Sequence, residues 1–76
     1  MNYEEKYAKE LEEGRERLRG MGVDKSWSTP ELTSEFEIVA FGAPFCFGTR
    51  KSDGAKVSLQ FGDFPARLYY NCQERT

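Results

Sequence analysis

Arg50, Lys51 and Lys56 flank an Asp53-Gly54 pair, and Arg67 stands two residues before Tyr69. Cations beside an aromatic ring can hold a phosphate by charge and a base by stacking, which is the chemistry of a nucleotide or single-stranded nucleic-acid site. The other reactive side chains offer less. The chain has no His, so mechanisms that need an imidazole base are excluded, and Thr49, Ser52 and Ser58 have no such base to activate them. Glu35 and Glu37 are two apart and would share one face of a strand, where paired carboxylates can divide acid and base roles or simply meet solvent. Cys46 and Cys72, without His, cannot complete a zinc site on their own. Both are read as free thiols used as small apolar strand residues. No glycine-rich, phosphate-binding spacing precedes a helix, and no catalytic, metal or cofactor set is expected.

The 76 residues allow a single domain, residues 1–76, with a small core. Eleven Lys and Arg against thirteen Asp and Glu give a net charge of −2. That balance lacks the basic excess of a general nucleic-acid binder, and Lys56 to Gly62 lacks the ribonucleoprotein signature of RNA-recognition sheets. Nucleic acid is therefore an unlikely partner. Met1 leads directly into a charged segment and no apolar run reaches membrane-spanning length, so the expectation is a reduced, cytoplasmic protein without a membrane partner.

Two kinds of patterning position these residues. Residues 2–20 read as a helix, with Asn2 as N-cap, Glu4 and Glu5 at its positive end, Arg17 and Arg19 at its negative end, and Gly20 and Gly22 as the stop. Tyr3, Tyr7, Leu11, Leu18 and Met21 fall on one stripe that includes Gly14, as close approach to a neighbouring element would require. Residues 29–33 read as a short helical turn capped by Thr29, with Pro30 first in the helix. Trp27 before it is either a core residue or an exposed anchor.

Residues 35–72 alternate as strands. Phe36, Ile38 and Ala40 lie on one face, Glu37, Val39 and Phe41 on the other; Val57, Leu59 and Phe61 form a further apolar face. Asp53-Gly54 marks a hairpin. The expected fold is α+β, an N-terminal helix packed on a three- to four-stranded antiparallel meander. With the helix over Phe36, Ile38, Val57, Leu59 and Phe61, the outward face carries Val39, Phe41 and Tyr69 beside Arg67. Those four, with Arg50 and Lys51, are the expected partner-binding residues.

The stretch from Trp27 to Asn71 resembles a group of short bacteriophage- and prophage-encoded proteins. The matching features are the acidic-aromatic strand from Glu35, the Gly42-Ala43-Pro44 break, Arg50-Lys51-Ser52-Asp53-Gly54, Ser58-Leu59-Gln60-Phe61 and the Pro-Arg-aromatic ending, where Ala66 intervenes between Pro65 and Arg67. The resemblance implies a phage origin and a small accessory protein; the absence of an acid, base and nucleophile set makes the expectation a non-enzymatic one. Such a protein would bind and inhibit or redirect a host macromolecule, for instance a defence factor such as a CRISPR-Cas component, in the host cytoplasm. A nucleotide-sequestering homo-oligomer and a single-stranded nucleic-acid-binding sheet are the alternatives.

Overall fold

The computed structural model describes residues 3–75. Along the chain come helix α1 (Tyr3–Gly20), strand β1 (Ser26–Trp27), helix α2 (Thr29–Glu35) and strands β2 (Phe36–Gly42), β3 (Phe45–Arg50), β4 (Lys56–Asp63) and β5 (Arg67–Glu74). All five strands form one antiparallel sheet in the order β1-β5-β4-β3-β2. The expected α+β meander is present, with a fifth strand contributed by Ser26 and Trp27, which pair with Tyr70 and Tyr69.

Helix α1 carries Glu4 and Glu5 in its first turn and Arg17 and Arg19 in its last. It ends at Gly22, whose φ of 87° is readily adopted only without a Cβ. The amides of Val23 and Gly22 bond the carbonyls of Leu18 and Arg19, and Val23 packs with Leu18, so the terminus is a Schellman motif. Gly20 is helical and plays no part in the stop. The proposed Asn2 cap lies outside the described residues. Only part of the apolar stripe docks. Leu18 is buried and Leu11 half-buried, whereas Tyr3 and Met21 are exposed. A Cβ on Gly14 would lie 2.7 Å from Leu68 Cδ1 and 3.0 Å from Phe64 Cβ, which is the close approach the stripe called for.

Helix α2 is longer than expected and begins one residue earlier. Ser28, not Thr29, is its N-cap, and Pro30 is the second helical residue. The Ser28 side chain accepts from the Glu31 amide at 3.4 Å, and the Ser28 amide donates to Glu31 Oε1 at 2.9 Å, a reciprocal capping box. Arg15 of α1 also pairs with this carboxylate and ties the two helices together. Glu35 ends α2 and accepts from Trp27 Nε1 at 2.9 Å. It therefore does not share a strand face with Glu37, and the paired-carboxylate arrangement is absent.

The core has two sides. Trp27, Leu32, Phe36, Cys46, Val57, Leu59 and Tyr69 pack together on one face of the sheet, beneath α2. Leu18, Leu68 and Tyr70 form a smaller cluster with Leu11, Val23 and Phe64 on the other face, beneath α1. The expected pairing of helix and face is thus reversed: α1 covers Leu68 and Tyr70, and α2 covers the Phe36–Val57–Leu59 surface. The Phe36, Ile38, Val57, Leu59 and Phe61 surface itself is as expected, and only the helix that covers it differs. Two irregularities in the ladder change the faces of other residues. β2 has an extra residue between Ile38 and Ala40, and β5 has one opposite the Ser58–Gln60 step of β4, where Asn71 takes a φ of 52°. An inserted residue shifts the alternation by one, so every side chain beyond it changes face.

Candidate binding surface

Cross-strand partners share a face of an antiparallel sheet. Phe41 pairs with Cys46, Cys46 with Leu59, and Phe61 with Tyr69. Phe41 and Tyr69 therefore lie on the same side as Leu59, not on the opposite one. Their burial differs because α2 reaches only part of that side. Tyr69 is buried, whereas Phe41 is 62% exposed at the far end of β2.

At that end the aromatic rings form a row. Phe41 meets Phe61 edge-on at 5.7 Å between centroids, and Phe61 leans on Tyr69 at 5.9 Å. The Arg67 guanidinium stands 5.0 Å over the Phe61 ring and donates from Nε to Asp63 Oδ1 at 2.7 Å. The Asp63 carboxylate, opposite Arg67 in the β4–β5 ladder, raises the arginine's pKa and holds it in place. Val39, projecting from the β2 irregularity, is 72% exposed, and Phe45 across the Gly42-Ala43-Pro44-Phe45 turn is 44% exposed. Phe41, Arg67 and Tyr69 thus lie toward one end of the sheet, whereas Val39 lies midway along β2, level with Gly48 and Phe47. Tyr69 supports Phe61 from within the core and is not itself a contact surface.

Arg50 and Lys51 are at the other end. Arg50 donates to both Asp53 carboxylate oxygens, at 3.1 and 2.7 Å, and also pairs with Glu74. The Asp53 hydrogen bonds are the main reason its pKa is raised. The Lys51 ammonium donates to the Thr33 carbonyl at 2.7 Å. Both line a shallow groove of about 240 Å³ with Ser34, Glu35 and Ser52. The seven steps of β4 from Lys56 to Asp63, at about 3.3 Å each, put roughly 23 Å between the Arg50 and Arg67 ends. No one nucleotide touches both, and the basic cluster drawn from Arg50, Lys51, Lys56, Arg67 and Tyr69 does not assemble.

Phe61 and Phe45 belong to the aromatic end and were not among the expected contact residues. Their position was readable: both border a turn, Phe61 before Gly62-Asp63 and Phe45 after Pro44, at the limit of what a short helix covers. Both cysteines are free, and burial is the main cause of the raised pKa of each thiol. Among the described residues no cluster of His, Cys, Asp and Glu could hold a metal ion, and no helix is long and apolar enough to cross a membrane. No family model matches the chain, and neither the curated proteins nor the solved structures contain a match to it.

Proposed function

We propose that the chain is a small non-enzymatic binding protein of the phage accessory type, which engages a host macromolecule through the aromatic end of its sheet. The observation that carries this reading is Phe41, an exposed ring set edge-on against Phe61, whose own ring lies under the Arg67 guanidinium. Aromatic and arginine side chains supply most hot spots of protein interfaces. A Phe presents about 200 Å², so the 62% left open is roughly 120 Å², and covering it contributes about 3 kcal/mol at 25 cal/mol per Å². Arg67 is already oriented by Asp63, so less side-chain entropy is lost when a partner arrives. The resemblance to phage-encoded proteins points to a host factor, with defence proteins as a natural class, met in the host cytoplasm. The nucleotide and single-stranded nucleic-acid alternatives have less to stand on, since Arg50 and Arg67 are far apart and each is paired with a carboxylate.

Immobilised protein should retain one stoichiometric component of a bacterial lysate, which rebinds after purification. Phe41→Glu should weaken that binding about 100-fold, the equivalent of roughly 3 kcal/mol, while Lys51→Glu at the opposite end leaves it intact. A folded Phe41→Glu protein that binds as tightly as the parent refutes the assignment. Nucleotide absorbance eluting in place of a protein would favour the sequestering alternative.

A further inference from the structure

The sheet has two unlike edges. One ends in the two-residue strand β1, which pairs only with Tyr69 and Tyr70 of β5. The other is β2, paired on one side with β3 and on the other, among the described residues, with no strand. An edge strand presents a row of unpaired N–H and C=O groups, a template for another strand. Proteins usually guard such edges with charge, yet Glu37 is the only charged residue from Phe36 to Gly42. The irregularity at Val39 projects an apolar side chain where a lysine would discourage pairing.

We infer that two copies of the chain associate antiparallel through their β2 edges, giving a two-fold symmetric dimer with a continuous ten-stranded sheet. Self-complementarity favours a second copy as occupant. Antiparallel pairing of one strand with itself closes a two-fold interface with no further surface to satisfy. A register centred on Ala40 sets Val39 against the partner subunit's Phe41 on both sides of the axis. It also keeps the two Glu37 carboxylates about 20 Å apart along the strands.

The available area sets the strength. At about 200 Å² per Phe, the exposed parts of Phe41 and Val39 come to about 230 Å² per protomer. Paired backbone raises this to roughly 450–500 Å² a side, or about 900–1,000 Å² in all, the range of a weak, transient interface. The dimer is therefore reversible, with a micromolar dissociation constant. The dimer covers the Phe41 ring that the host-binding reading uses, so the two associations compete for that ring. The dimer does not depend on the proposed host-binding function.

Sedimentation equilibrium of the purified chain from about 5 to about 500 µM tests it, with hydrogen exchange at the same concentrations. The expected result is a rise from 8.8 kDa toward twice that mass, with exchange at residues 36–42 slowing in step. Val39→Lys and Phe41→Lys should each raise the dissociation constant about tenfold or more, with melting close to the parent's at concentrations where the parent is monomeric. Arg67→Ala should leave the dimer intact even where it weakens host-partner capture, which separates the two readings. A monomer throughout overturns the inference, as does association that protects α1 instead of β2. Protection of β2 only when an added extended peptide is present assigns the edge to a partner's strand and overturns the second copy. The exchange measurement on the parent protein decides the matter even if a lysine variant fails to fold.

Discussion

Replacing Gly14 with alanine sets two effects of known size against each other. In a free helix the change is worth about 1 kcal/mol in favour of folding, because glycine is the poorer helix former. In this structure the new methyl group would sit 2.7 Å from Leu68 Cδ1, 3.0 Å from Phe64 Cβ and 3.1 Å from the Phe64 carbonyl oxygen. The Leu68 methyl belongs to a fully buried side chain, and the two Phe64 atoms are at or next to the backbone, so neither neighbour yields freely. Overpacking of this kind costs about 1–3 kcal/mol. The balance is a net loss of up to about 2 kcal/mol, which for a domain of this size lowers the melting temperature by as much as about 8–16 °C. Gly20→Ala is the internal control, since nothing lies within 4 Å of a Cβ there and its effect should be neutral or slightly stabilising. Thermal melts followed by circular dichroism read both. If Gly14→Ala raises the melting temperature by the full propensity gain, α1 does not press on β5 at this point and the smaller core cluster is wrongly placed.

Two further outcomes test other parts of the fold. Gly54 has a φ of 73° at the β3–β4 hairpin, so Gly54→Val should lose about 1–2 kcal/mol in denaturant titration while Gln60→Thr loses almost nothing; equal losses would displace the turn. Glu31 has its pKa held below the usual 4.5, chiefly by the hydrogen bond from the Ser28 amide and further by Arg15. Its folded value is the lower one, so the stability it contributes is present above the ordinary pKa and is lost as the pH falls through the depressed value. Glu31→Gln keeps an N3 side chain able to complete the capping box but removes the charge, and should flatten the acid side of a melting temperature against pH curve.

Much of the architecture follows from local signals strong enough to survive packing. The charge bias of residues 4–19 with a terminal glycine marks α1, and the Asp53-Gly54 turn and the apolar alternation of Val57, Leu59 and Phe61 mark the meander. β1 was not legible because two residues carry no period; Ser26 and Trp27 become a strand only by meeting Tyr69 and Tyr70. The Ser28 cap was overlooked because Thr29, directly before Pro30, has equally good capping chemistry. The capping box with Glu31 at the third helical position distinguishes them. Of the candidate site, strand alternation singles out Val39, Phe41 and Tyr69, and nearness to Tyr69 adds Arg67; Arg50 and Lys51 come from flanking the Asp53-Gly54 turn, and proximity to a turn says nothing about which end of a sheet the turn occupies.

The face assignment is the more instructive difference. Alternation determines faces only while the ladder stays regular, and one extra residue inverts everything beyond it. A signal was present: Gly48 lies opposite Ile38, and a Cβ there would collide with the backbone of Glu37 and Ile38, the kind of close approach for which a strand glycine is kept. Taking that glycine as the mark of a bulge puts Phe41 on the core face. The reversal does not remove the exposed surface; it changes the reason for it. By the sequence pattern alone Phe41 is bare because it lies on the face opposite the helix. In the structure each face has its helix, but α2 has seven residues and is about 10 Å long, whereas the eight residues of β4 extend about 26 Å. A cover that short leaves the end of the sheet open whichever way the strands alternate. Phe41 and Arg67 are exposed, and Phe61 is only half-buried, because they lie beyond the reach of α2.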